Sequence, residues 1–209
     1  MTDPAHGALG PGDRAPDFEL PAGDSEGTVA LAEYRRRGPV LLTLLRGLYC
    51  AFCRRHISQF RPTCETLHAK GIALLGVVIA SPERSRRYFG HFPPCFPIAA
   101  APDRATHRAY GLSEVIRTPE LRQETEWSAA EILRELGLQA PPVQATAVFD
   151  ASVDASDGFE MTAEDDAEWK RPLQAVGYFL IGRDGLIRWS RVEASITTVP
   201  AVEELLALV

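Results

Sequence analysis

The chain has 209 residues and a formal net charge of −6, which suits one domain with an insertion and argues against a general nucleic-acid or anionic-membrane surface. Its longest apolar stretch, Ile72 to Ala80, is far too short to span a bilayer. The opening residues Met-Thr-Asp-Pro-Ala-His-Gly carry no basic segment followed by an apolar one, so no signal peptide is expected. A cytoplasmic location is the expectation that follows.

Residues 1–10 are rich in Gly and Pro and are expected to form a flexible N-terminus, with a single domain over 11–209. From Pro11 the run Pro-Gly-Asp-Arg-Ala-Pro-Asp-Phe-Glu-Leu predicts a turn and a short strand. A second short strand near Thr28 to Leu31 leads into Tyr34-Arg35-Arg36-Arg37, which reads as a solvated helix end before Gly38-Pro39.

The apolar run from Val40 to Leu45 reads as a fully buried strand. It ends at Arg46-Gly47, and Cys50-Ala51-Phe52-Cys53 then opens a helix. Residues three apart share a helical face, so Cys50 and Cys53 can form a tight disulfide. At the first turn, free backbone N–H groups and the positive end of the helix dipole stabilise a thiolate at Cys50. Arg46, Arg54 and Arg55 add positive charge, and Arg46 is the residue expected to stabilise the thiolate. Such surroundings lower a cysteine pKa from about 8.5 to about 3.5–7.5. The stretch reads as a redox site. The rival is zinc, with Cys50, Cys53, His56 and Cys64 as four ligands; structural zinc sites pair two knuckles at spacings this chain lacks, so neither metal nor cofactor is expected. The same helix carries Ile57, Phe60 and Leu67 for packing, should kink at Pro62 and should stop at Gly71. Cys64 and Cys95 read as small buried hydrophobes, and His56 as an exposed helix histidine.

Ile72 to Ala80 is a second buried strand, uniformly apolar as parallel strands covered on both faces are. Ser81-Pro82-Glu83 starts a helix that runs to about Gly90. Phe96 to Ala100 reads as a strand, and Asp103 caps a short helix ending at Tyr110-Gly111. The alternation predicts βαβ units in a mixed, mainly parallel sheet. Residues 113–171 break this rhythm and hold about half of the 28 acidic residues. Within them Ser128 to Leu136 reads as an amphipathic helix, Ala145 to Phe149 as a strand, and Asp150 to Glu168 as a solvated loop or hairpin, the whole being a surface excursion without chemistry. Ala175 to Ile181 and Leu186 to Trp189 form a hairpin around Arg183-Asp184-Gly185, and a last helix starts near Thr198-Val199-Pro200 and runs to the end, with Val202, Leu205, Leu206 and Val209 at helical spacing.

Four segments in series resemble the peroxiredoxin-like branch of the alkyl hydroperoxide reductase/thiol-specific antioxidant family, within the thioredoxin superfamily. They are Pro11–Leu20, Arg46-Gly-Leu-Tyr-Cys-Ala-Phe-Cys-Arg54, Asp103-Arg-Ala-Thr-His-Arg-Ala-Tyr-Gly111 and Gly177-Tyr-Phe-Leu-Ile-Gly-Arg-Asp-Gly-Leu-Ile-Arg188. The resemblance implies a thioredoxin-like α/β fold and a cysteine at the Cys50 position that attacks peroxides. It also implies a disulfide that thioredoxin or a similar thiol donor reduces, and often a homodimer. Two places depart from the family pattern. Thr43 and Gly47 stand where the Pro-x-x-x-Thr-x-x-Cys motif has proline and threonine, and Val176 stands where the family has an arginine.

Together these readings give a thiol-dependent oxidoreductase in which Cys50 is oxidised to a sulfenic acid. Cys53 resolves it as an intramolecular disulfide, and a thioredoxin-like or low-molecular-weight thiol restores both thiols. Cys64, about three turns further along the helix, is too far from Cys50 to take that role; Cys95 remains open. The alternatives are a thioredoxin-like protein-disulfide reductase and, from another class, a non-catalytic zinc- or partner-binding module.

Overall fold

The computed structural model describes residues 7–141, 143–193 and 200–208. A hairpin of β1 (Glu19–Pro21) and β2 (Thr28–Ala30) leads into α1 (Leu31–Arg37), whose last turn carries the three arginines. The apolar run then forms β3 (Val40–Leu44), buried at every residue. Helix α2 (Ala51–Ala69) follows and continues through Pro62. Gly71, at φ +75°, sends the chain out of it, and the Gly71 N–H donates to the His68 carbonyl at 2.9 Å. Next come β4 (Ala73–Val78), α3 (Pro82–Phe89), β5 (Ile98–Ala100) and α4 (Ala105–Ala109).

After α4 the short β6 (Glu114–Val115) pairs antiparallel with β7 (Leu173–Gln174), closing the base of the 113–171 excursion. Between them lie α5 (Pro119–Glu135), α6 (Ala145–Asp157) and α7 (Ala163–Trp169). The chain returns through β8 (Val176–Ile181), β9 (Ile187–Glu193) and α8 (Val202–Leu206). The expected start of that last helix at residues 198–199, and Val209, lie outside the described residues. At the other end, the Leu9 N–H donates to the Tyr110 carbonyl at 3.1 Å, which ties residue 9 to the domain.

The main sheet has the order β5-β4-β3-β8-β9. Pairings on the β4 side of β3 are parallel and those on the β8 side antiparallel, with Leu42 opposite Leu75 and Phe179. The sheet is therefore mixed, with a parallel half and an antiparallel half. Alternation along β3 explains its unbroken apolar character. Leu41 joins the cluster beneath α2, while Val40, Leu42 and Leu44 join the cluster on the opposite face.

Two expectations for the excursion are corrected. Ala145 to Phe149 is helical, because Ala145, Phe149 and Val153 recur at i, i+4 and i+8 and bury one stripe. Asp150 to Glu168 is not a solvated loop: it completes α6 and supplies α7. Its acidic residues pair with arginines and polar groups of the core. Asp154 and Asp157 bind Arg54, Asp165 binds Arg84 at 2.8 Å, Glu168 binds Arg104, and Glu164 accepts from Ser81 Oγ at 2.7 Å. Five acidic residues in a short run therefore fasten a helical cap to the domain.

Candidate active site

Cys50 is the N-cap of α2. Its Sγ accepts from the Cys53 N–H at 3.3 Å, and the Cys53 thiol donates to it across 2.8 Å. Both cysteines are free thiols, with Cys50 7% and Cys53 1% exposed. Burial pushes the Cys50 thiol up, but the hydrogen bond from Cys53, the charge of Arg46, the Cys53 backbone N–H and the charge of Arg54 together bring it below the usual thiol value. Cys53 moves the other way, raised by burial and by the neighbouring Cys50. The pair is thus polarised: Cys50 carries thiolate character and Cys53 keeps its proton.

Arg46 follows the end of β3 and is buried. Its Nε donates to the Gln174 carbonyl at 2.7 Å. Gln174 is itself held by its side-chain amide, which donates to the Leu112 and Ser113 carbonyls at 2.9 and 3.0 Å. The β6–β7 base of the cap therefore aims the Arg46 guanidinium, whose charge and hydrogen bond act on Cys50. Arg46→Met is expected to raise the Cys50 pKa. Iodoacetamide alkylation should then move its midpoint to higher pH, and an unchanged midpoint would leave the thiolate to the helix terminus and Arg54.

Cys50 opens onto a cavity of about 440 Å³ between the start of α2 and the cap. Tyr49, Phe52, Leu121, Trp169 and Leu173 give it an apolar wall; Arg46, Arg117, Arg122, Glu126 and Asp150 bring charge. A larger cleft of about 550 Å³, lined by Arg55, Phe92 and Leu138, does not reach the two free cysteines. The cap is seated by Phe149 against Phe52, with ring centroids 4.4 Å apart. Trp169 meets the Tyr49 ring at 5.7 Å and lies under the Arg117 guanidinium.

Gly47 is fixed by crowding. A Cβ there would lie 2.8 Å from the Ile79 carbonyl oxygen and 2.9 Å from the Tyr49 ring, so this backbone excludes the threonine that the resemblance leads one to look for. Two buried hydroxyls, Thr43 Oγ1 and Tyr49 Oη, have no hydrogen-bond partner among the described residues, and Tyr49 lines the Cys50 cavity. Val176, in the arginine place, packs into the same apolar cluster as Cys50 and Cys53.

Arg46, Cys50 and Cys53 are thus brought together, and the other candidates are not. Cys64 and Cys95 are bonded to each other, with Cα atoms 6.4 Å apart, rather than standing as separate buried hydrophobes. His56 is buried, not exposed, and its Nδ1 lies 2.9 Å from Tyr178 Oη. The four groups considered as zinc ligands therefore do not meet. The cavity residues Tyr49, Arg117, Trp169 and Asp150 did not stand out in the sequence. The usable signal is the helical spacing of Asp150, Asp154 and Asp157 within the acidic run.

A thioredoxin-like domain with a polarised CxxC at the start of its first long helix defines a class. The sequence comparisons narrow it: the description of the AhpC/TSA family matches residues 11–190, and the chain belongs to that family. A candidate peroxiredoxin of Mycobacterium tuberculosis, found in two strains, is 30% identical over 103 residues; the match spans 49% of this chain and 64% of that protein. Among solved structures, the peroxidoxin BcpB of Mycobacterium tuberculosis superposes with a TM-score of 0.56 at 12% identity, covering 89% of this chain and 86% of that one. A candidate thiol:disulfide interchange protein, DsbE, from Chlorobium tepidum gives 0.54 at 19% identity, covering 96% and 94%. These likenesses share the fold.

Proposed function

We propose that the protein is a thiol peroxidase that reduces hydrogen peroxide or organic hydroperoxides through a Cys50–Cys53 disulfide cycle. The observation that carries this is the polarised pair: a Cys50 sulfur held toward thiolate by Arg46 and by the Cys53 thiol 2.8 Å away. The thiolate attacks one peroxide oxygen and becomes a sulfenic acid. Cys53 then displaces that hydroxyl as water, forming the disulfide, and a thioredoxin-like or low-molecular-weight thiol restores both groups by exchange. The apolar wall of the cavity gives the carbon side of an organic hydroperoxide a place to lie. A cytoplasmic location and a homodimer belong to the same proposal.

Peroxide consumption with and without a dithiol donor tests the reading, and a protein that consumes none would end it. The rate should be slower than in a peroxiredoxin with the full motif. Gly47 offers no hydroxyl and Val176 no guanidinium where the departing oxygen gathers charge. Losing one such donor costs about 3 kcal/mol, or about a hundredfold in rate. Competition for peroxide against a thiol of known reactivity measures this, and a full-motif rate would mean that Tyr49 or cap residues rebuild the peroxide pocket. A second reading, protein-disulfide reduction, has the direct contact of the two sulfurs in its favour, because dithiol exchange needs a nearby second thiol. Insulin reduction without peroxide consumption would choose it.

A further inference from the structure

We propose that Asp150 is the acid that protonates the oxygen leaving as Cys50 attacks a peroxide, an inference that rests on the peroxidase reading above. Asp150 lies on α6 and lines the same cavity as Cys50. Its neighbour Phe149 packs on Phe52, two residues beyond Cys50, so this end of α6 is seated over the start of α2. Along the same helical stripe Asp154 and Asp157 are both engaged by Arg54. Asp150 is partly buried, and its carboxyl makes no hydrogen bond or salt bridge with the described residues. A carboxyl group held in a reactive cavity with no structural partner is available for chemistry.

The step needs such a group. The Cys50 thiolate attacks one oxygen of hydrogen peroxide, the S–O bond forms and the O–O bond breaks. The sulfur loses two electrons and the peroxide gains them. The other oxygen departs with the bonding pair and would leave as hydroxide. A proton from the Asp150 carboxyl makes it water, leaving Cys50 as a sulfenic acid and Asp150 as a carboxylate that recovers its proton through the open cavity. An acid suited to this work has a pKa near the working pH. Burial raises Asp150, and the charges of Cys50, Asp154 and Glu126 raise it further against the opposing charge of Arg54, to about 7. The other ionisable groups facing the cavity are Arg46, Tyr49, Arg117, Arg122 and Glu126, the last engaged at Oε2 by the Thr146 N–H at 2.9 Å. The arginines stay charged, and the Tyr49 phenol is pushed well above its usual value by burial and by Cys50, so it is no proton source near neutrality. Asp150 is the cavity carboxyl that burial and its neighbours raise toward neutrality and that no hydrogen bond engages.

Two reactions of Cys50 separate the roles. Alkylation by iodoacetamide uses the same thiolate but releases iodide, which takes no proton; oxidation by hydrogen peroxide needs one. In Asp150→Asn the peroxide rate constant at neutral pH should fall about a hundredfold, the low end of what a positioned acid contributes. Alkylation should stay within about twofold or quicken, since removing a neighbouring negative charge favours the thiolate. In the wild-type protein the ratio of peroxide to alkylation rate constants should decline as pH rises through about 7; in Asp150→Asn it should be flat, and Asp150→Glu should restore part of the decline. The wild-type profile needs no variant to fold. A flat wild-type ratio, or an Asp150→Asn oxidised within twofold of wild type, would overturn the assignment while leaving the peroxidase intact. Wild-type protein that alkylates at Cys50 but is not oxidised by peroxide would overturn the peroxidase reading and the assignment with it.

Discussion

Cys50→Ser is expected to reduce peroxide turnover to background, whereas Cys53→Ser should react once and stop, leaving on Cys50 a sulfenic acid that dimedone traps. The asymmetry comes from the α2 N-cap. The Cys53 N–H and thiol both point at Cys50 Sγ, Arg46 and Arg54 add charge, and Cys53, one turn in, is raised by burial and by Cys50 itself. Thiolate character governs both nucleophilicity and susceptibility to oxidation. In Cys53→Ser the nucleophile remains, but the group that displaces the hydroxyl is gone. Mass mapping gives the check: the wild type, with Cys64 and Cys95 already bonded to each other, should lose both remaining thiols to one equivalent of hydrogen peroxide. Dimedone on Cys53 in Cys50→Ser, with turnover kept, would reverse the two roles. A mixed disulfide of Cys50 with Cys64 or Cys95 would replace the resolving partner.

The parts of this arrangement built from local pattern were legible in the chain. An apolar run followed by arginine and CxxC specified β3, the turn and α2, because strand burial and the helix start are set by consecutive residues. Arg46 was legible as a cation next to the pair, but not the Gln174 carbonyl that aims it, which comes from 128 residues away. The cap is hidden for a related reason. An acidic run looks solvated when its partners are unknown, and here the partners are Arg54, Arg84 and Arg104, each contributed by a distant element. The burial of His56 is hidden likewise, since the Tyr178 hydroxyl it meets beneath α2 comes from β8, 122 residues away. Cys64 and Cys95 gave no sign of pairing, because 31 residues separate them and only the packing of the loop before β5 against α2 brings them together.

The cap's attachment carries the second large expected effect. Arg54→Met should destabilise the protein by about 3–5 kcal/mol, the usual cost of removing one member of a buried ion pair and stranding the other. Arg54 has a side chain only 1% exposed, and its Nε donates to Asp157 Oδ2 at 2.8 Å. Another nitrogen reaches Asp154, a third donates to the Leu48 carbonyl at 2.6 Å, and the guanidinium lies 3.8 Å from the Phe159 ring centroid. The same Asp157 oxygen also accepts from the Tyr88 hydroxyl at 2.8 Å. Methionine keeps some packing and none of these bonds. In a chain of this size each kcal/mol is worth about 2–4 °C, so Tm should drop by roughly 6–20 °C. Arg188→Met is the contrast: its pair with Asp184 is about half exposed on both sides, and its loss should cost under about 1 kcal/mol. Adding Asp157→Asn to Arg54→Met removes the stranded charge and should recover part of the loss, which a double-mutant cycle measures. Because α6 holds Asp150 over the cavity and Arg54 also lowers the Cys50 pKa, Arg54→Met should shift Cys50 alkylation to higher pH in the fraction that stays folded. A loss below about 1 kcal/mol would show that the Phe52–Phe149 contact and the other pairs hold the cap without Arg54.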